Sequence, residues 1–159
     1  MSVTVLAIAL LAQSAEVGLS VKASLYGYNL LYPSTRCCAF TLSILPDGKA
    51  TFLIEGRPRQ QEVQFTIPTE KLGLLRSALE ENKFFSLPER VGPIPVDGDE
   101  HRMEITLGTK KRTVVLYDWR EHLAEGDQLS KDAPDRIRRA HAVWKVLRSL
   151  VPDARVTVQ

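Results

Sequence analysis

The stretch RCCAFTLSILPDGKATFLIEG, residues 36–56, decides the fold class of this chain. Apolar side chains alternate with polar or small ones from Cys38 to Ile44, which is the period of a strand with one buried face. Pro46, Asp47 and Gly48 then have the residue types of a tight turn, because proline fixes φ and glycine accepts a positive φ. An apolar run follows the turn. The stretch therefore predicts a β-hairpin.

The turn also predicts the register of this hairpin. If Leu45 pairs with Lys49, the apolar faces of the two strands coincide, whereas a slip of one residue would put them on opposite sides of the sheet. Successive side chains of a strand point to opposite faces, so Cys38 is expected in the core and Cys37 away from it, without a disulfide between them. The expected pairs are Ile44 with Ala50, Leu42 with Phe52, Phe40 with Ile54, and Cys38 with Gly56.

Further strands are predicted from the same kind of pattern. They cover residues 17–32, residues 62–67, and a second hairpin, 102–107 with 112–117, around Gly108, Thr109 and Lys110. The register of the second hairpin stays open, because either Val114 and Leu116 or Val115 and Tyr117 could face the core. Residues 89–100, which are rich in proline, glycine and acids, are predicted to be a surface loop.

Two helices are predicted. The first begins near Pro68, buries Leu72, Leu75, Ala78 and Leu79, and ends at Asn82 and Lys83, with Phe84, Phe85 and Leu87 packed as core. The second begins near Pro134 and ends at Pro152. Its apolar positions are Ile137, Ala140, Trp144, Leu147 and Val151, and its outward positions are Arg136, Arg138, Arg139, Lys145 and Arg148. Hairpins interleaved with helices predict an α+β fold, an antiparallel sheet with two main helices packed on one face.

Residues 1–15 are predicted to be a signal peptide, and residues 16–159 a single α+β domain. Residues 3–12 are apolar except for Thr4, and the small residues Ala12, Ser14 and Ala15 follow, as signal peptidase requires. The expected localisation is therefore periplasmic or extracellular, with no stable membrane span after cleavage. The alternative is a cytoplasmic protein whose N-terminus is a core element.

The composition limits the partners. The chain of 159 residues is 44% hydrophobic and 25% charged, and its net charge is only +2. Such a balance creates no strong field for polyanions, and the basic residues lack interleaved aromatic side chains, so nucleic-acid binding is not expected.

The segment CAFTLSILPDG, residues 38–48, resembles the motif CPxYxLxIxxDG of a family of uncharacterised, often exported bacterial proteins, known only as a domain of unknown function. The helix IPTEKLGLLRSALEENKFFSL and the later hairpin before a C-terminal helix extend the resemblance over most of the mature chain. Ala39 and Phe40 stand where the family has proline and tyrosine. The resemblance implies a shared fold and export, and it implies no activity.

No metal or cofactor is expected. The three histidines, His101, His122 and His141, are not spaced as a pair of ligands on one helix face. Asp97, Asp99 and Glu100 lack the rest of a calcium loop and are interpreted as a solvated acidic loop.

The polar segment YDWREH, residues 117–122, supplies the candidate site residues. Trp119, with its neighbours Arg120 and Glu121, is predicted to bind a partner, because an exposed tryptophan often anchors an interface. The leading hypothesis is an exported, non-catalytic domain that binds a protein or an envelope component through residues 117–130 and 89–101.

The alternative hypothesis is a small hydrolase with an acid–base pair. Its candidate catalytic residues are His122 or His101 together with Asp118 or Asp99. No nucleophile or substrate pocket is evident in the sequence, so an enzyme is the less favoured interpretation.

Overall fold

The computed structural model describes residues 18–27, 39–55, 60–93, 99–117 and 133–152. These residues form one sheet of seven strands, two α-helices and a short 3-10 helix at Phe84–Ser86. The strands are β1 Leu19–Gly27, β2 Ala39–Ile44, β3 Lys49–Glu55, β4 Gln61–Thr66, β5 Arg90–Val91, β6 Asp99–Leu107 and β7 Lys110–Tyr117. The helices are α1 Thr69–Glu81 and α2 Asp135–Leu150.

The strand order in the sheet is β4-β3-β2-β1-β6-β7-β5. Every neighbouring pair is antiparallel except β5 and β7, which are parallel. The N-terminal strand β1 lies in the centre, between β2 and β6. The α+β class is thus confirmed, with one short parallel strand added at an edge.

The register of the first hairpin is confirmed. Phe40 pairs with Ile54, Leu42 with Phe52 and Ile44 with Ala50. The N–H of Leu45 donates to the carbonyl of Lys49 at 2.8 Å, as the predicted turn requires. The predicted pair of Cys38 with Gly56, like Cys37, lies outside the described residues.

The two faces of the sheet differ in polarity. The face covered by α1 and α2 carries the apolar residues that alternate along each strand, and these form the core together with the buried faces of both helices. The other face carries mainly hydroxyl and charged side chains. Its central residues include Lys22, Thr41, Ser43, Thr51, Glu104, Thr106 and Thr113.

The second hairpin has a turn of two residues. Leu107 pairs with Lys110 across Gly108 and Thr109, and Gly108 adopts a φ of 59°. Val114 and Leu116 face the helices, opposite Met103 and His101. Val115 lies on the other face, is also buried, and pairs with Arg90 of the short strand β5.

The prediction of a surface loop over residues 89–100 is wrong at both ends. Arg90–Val91 forms β5, and Val91 is completely buried, while β6 begins at Asp99. Gly92 is needed for close packing rather than for a loose loop, since a Cβ there would lie 2.3 Å from the carbonyl oxygen of Tyr117. A strand of two residues has no alternation that could reveal it.

Both helices lie where they were predicted. The first ends at Glu81 with Asn82 as its C-cap, and Lys83 follows in the left-handed conformation, with a φ of 46°. Leu75, Ala78 and Leu79 of α1 are buried, as are the apolar residues along one side of α2.

Arg139 corrects the prediction that the arginines of α2 all face outward. Its guanidinium donates to the carbonyl oxygens of Asn82 and Lys83 at 2.7 and 2.9 Å and to Ser86 Oγ at 2.9 Å. The carbonyls at the end of a helix lack partners within the helix. Arg139 therefore caps the C-terminal end of α1 and ties the two helices together.

Candidate functional site

The chain connections of the sheet are divided between its two ends. At one end β1, β3, β5 and β7 finish and β2, β4 and β6 begin. Three segments connect one strand to the next at this end: 28–38, 56–59 and 94–98. A fourth segment, 118–132, leaves β7 at this end and leads into α2. We call this end the loop-bearing end. The opposite end, the turn end, carries the two tight hairpin turns.

An aromatic cluster lies beneath the helices toward the loop-bearing end. The rings of Phe40 and Trp144 are stacked with centroids 5.8 Å apart, and Phe40 also contacts Phe52 at 5.3 Å. His101 packs its ring edge against Trp144 at 4.7 Å. The cluster joins β2, β3, β6 and α2, so it fixes the helix over the ends of the strands from which the long segments leave.

His101 is the polar member of this cluster. It lies on the helix-covered face of β6, between Leu25 of β1 and Leu116 of β7, and it is only 3% exposed. A general base must reach a proton on its substrate. The position of His101 under Trp144 favours a packing role, in keeping with the alternation that places Met103 and Ile105 on the same face.

The other predicted site residues fall in two groups. Asp118, Trp119, Arg120, Glu121 and His122 lie outside the described residues, and their roles stay predictions. Asp99 pairs its backbone with Gly27 at the first position of β6. The structure therefore brings the C-terminal end of one predicted binding segment, 89–101, and the N-terminal end of the other, 117–130, to one end of the sheet, since Tyr117 pairs with Glu100 there.

Charges on the open face concentrate around Arg102. Its Nε donates to Glu104 Oε1 at 2.8 Å, and this hydrogen bond raises the pKa of the guanidinium, with Glu100 and Glu89 adding weaker attraction. The pair is partly exposed, so its contribution to stability is small. Its effect is to place an arginine among carboxylates close to the loop-bearing end.

His141 lies on α2, one turn before Trp144, and is half-buried. Burial lowers its pKa, and the positive charge of Lys145 lowers it further. The neutral imidazole is therefore favoured at this position.

No group of three or more His, Cys, Asp or Glu side chains in the described residues is arranged to hold a metal ion. Among the helices of the described ranges, none combines the length and the apolar character needed to cross a membrane.

The sequence could have predicted that His101 faces the core, because residues 101, 103 and 105 alternate with charged or polar neighbours. The contact between His101 and Trp144 could not be predicted, because it joins two elements that are far apart in the chain. The same holds for the capping role of Arg139, which depends on how α1 and α2 pack.

No protein-family model matches the chain, and no curated protein sequence matches it significantly. The resemblance of residues 38–48 to a family of exported bacterial proteins stays a prediction.

Proposed function

We propose that this chain is a small exported domain that binds a protein or a cell-envelope component, without catalysis, through the loop-bearing end of its sheet. The observation that carries the proposal is the convergence of four chain segments at that end. Binding residues are often found on loops that a rigid scaffold positions. The scaffold here is the seven-stranded sheet with its aromatic cluster.

Two features of the described residues support the choice of this end. The two hairpins at the turn end have short connections, at residues 46–48 and 108–109, whereas longer segments leave the loop-bearing end. At the loop-bearing end, Glu100, near the end of the predicted binding segment 89–101, pairs with Tyr117, the first residue of the predicted binding segment 117–130.

Site-specific photo-crosslinking tests the binding surface. A benzoylphenylalanine residue replaces Trp119 in one variant and the exposed Thr109, at the turn end, in the matched control. Irradiation of intact cells should give a discrete crosslinked product from position 119 and none from position 109. Equal products from both positions, or none from position 119, would contradict the proposal.

Export is tested separately. The full chain with a C-terminal tag is produced in a Gram-negative host, and the periplasmic fraction is analysed by intact mass spectrometry. A product that lacks residues 1–15 supports export with cleavage after Ala15. An intact N-terminus, or recovery only from the cytoplasm, would overturn the localisation while leaving the crosslinking result to be judged by itself.

A further inference from the structure

Strand β4 is an edge strand with unused pairing capacity. Within the described ranges it has a hydrogen-bonded neighbour, β3, on one side only. Its six residues, QEVQFT, pair with β3 in an unbroken register and contain no proline, lysine or bulge, which are three of the features that usually protect an edge. At the other edge of the sheet, β5 has only two residues, and so short a strand offers few backbone groups for pairing.

The hydrogen bonds identify which backbone groups of β4 point away from the sheet. The N–H of Ile67 donates to the carbonyl of Gly48 at 2.9 Å, so these two residues form a hydrogen-bonded pair. Hydrogen-bonded and non-hydrogen-bonded pairs alternate in an antiparallel ladder. Val63 and Phe65 therefore direct their N–H and C=O groups toward β3, and Glu62, Gln64 and Thr66 direct theirs outward.

We propose that β4 pairs antiparallel with β4 of a second copy of this chain, around a two-fold axis that passes beside Gln64. In this register Gln64 opposes Gln64 of the second copy, and Glu62 opposes Thr66 in both directions. All three outward residues of each strand then form hydrogen-bonded pairs. The two sheets become one continuous sheet with all helices on the same face.

The side chains are complementary to themselves in this register. Val63 opposes Phe65 of the second copy on the helix-covered face, where both are half-buried in the single chain. On the open face the single charged side chain of β4, Glu62, opposes the neutral Thr66 rather than another carboxylate. Like charges directly opposite each other destabilise a strand pair, and this register has none.

The same complementarity identifies a second copy as the occupant. An arbitrary extended peptide could also form hydrogen bonds with the outward backbone groups, but β4 has no feature that would make it specific for a particular peptide sequence. A two-fold interface needs a patch that matches itself, and β4 meets that condition in hydrogen bonds, apolar contact and charge.

Sedimentation velocity of the full chain tests the proposal. The series runs from about 1 µM to about 1 mM, the range of weak interfaces built on a small contact area. We expect a reversible monomer–dimer equilibrium. A chain that stays monomeric throughout would overturn the proposal.

Charge variants at the two-fold position test the register. Gln64→Lys and Gln64→Glu each place like charges face to face and should weaken the dimer about fivefold or more. An equimolar mixture of the two should form a heterodimer at least as tight as the unmodified dimer. The matched control is Lys111→Glu, an exposed change on β7 at the far side of the sheet, which should leave the dimer unchanged.

A backbone variant tests the hydrogen bonds themselves. Gln64→Pro removes an outward N–H from each copy while sparing the bonds to β3, and should weaken the dimer about tenfold. Thermal unfolding checks that each variant remains folded. The register is refuted if none of the Gln64 variants changes the dimer affinity, or if the mixture of Gln64→Lys and Gln64→Glu forms no heterodimer. Either result would place the contact elsewhere.

Discussion

Trp144 packs α2 against the sheet through contacts with aromatic rings. It is 2% exposed and contacts rings from β2 and β6. The helical spacing of its neighbours correctly predicted that it faces the core. Its partners could not be predicted, because Phe40 and His101 come from strands whose relative positions depend on the whole sheet.

Replacing Trp144 with alanine should lower the free energy of unfolding by about 3–5 kcal/mol, because it removes a buried indole and leaves a cavity. Urea denaturation measures the loss. The matched control is Leu74→Ala in α1, a large apolar residue that is 60% exposed, which should change stability by less than about 0.5 kcal/mol. Equal effects of the two substitutions would contradict the described core.

His141 should make the stability depend on pH. Its pKa is lowered in the folded state by burial and by Lys145, so the unfolded chain binds the proton more readily. The folded state favours the neutral form of His141. The resulting contribution to the free energy of unfolding is complete above the unfolded pKa of about 6.5 and is lost as the pH falls through the lower folded pKa. Urea titrations from pH 7.5 downward should show a shallower decline for His141→Gln than for the unmodified chain. Parallel curves would rule out this contribution.

At the scale of elements, prediction succeeded where turn chemistry and alternation agree. The first hairpin is the clearest example, since the turn and both strands independently require the same register. Strand β5 was missed because Val91 is isolated between charged residues and Gly92, and its burial depends on the neighbouring strand β7. The second hairpin stayed ambiguous because Val114, Val115 and Leu116 are consecutive apolar residues, and all three are buried although Val115 lies on the opposite face.

Gly48 and Gly73 provide a matched pair of substitutions for the local conformations. Gly48 has a φ of 80°, and a Cβ there would lie 3.2 Å from the carbonyl oxygen of Ile67. Gly48→Ala should therefore destabilise the protein by about 1–3 kcal/mol in thermal or urea unfolding.

Gly73 lies inside α1, and an added Cβ would meet no atom within 4 Å. Gly73→Ala should stabilise the protein by up to about 1 kcal/mol, because alanine favours the helix. If both substitutions changed stability in the same direction, the backbone conformation of one site would be wrong.

At the scale of the whole molecule, the α+β class followed from the order of hairpins and helices, but the strand order did not. Strands β1 and β6 pair although about half of the chain separates them in sequence, and no local pattern encodes that choice. The candidate site was limited in the same way. The sequence indicated which segments could bind, and only the sheet topology showed that Glu100 of one segment and Tyr117 of the other pair at the same end of the sheet.

The strand order predicts a gradient of amide hydrogen exchange. Amides of β1, which is paired on both sides, should exchange most slowly, whereas β4 should show alternation, with slow exchange at Val63 and Phe65 and fast exchange at Gln64. Measurement by NMR at low protein concentration keeps the chain monomeric. Uniform protection along β4 under those conditions would refute the assigned edge.

The central position of β1 also bears on how the protein folds. Val21 is among the first described residues, and its partner Ile105 is synthesised much later. Pairings between distant parts of a chain form slowly, because the intervening loop must be closed before any contact rewards it. The hairpin of β2 and β3 can form early, but the pairing of β1 with β6 in the middle of the sheet can form only after β6 has been synthesised. During that interval two strand edges are exposed, and a growing chain is then most dependent on chaperones and most vulnerable to aggregation.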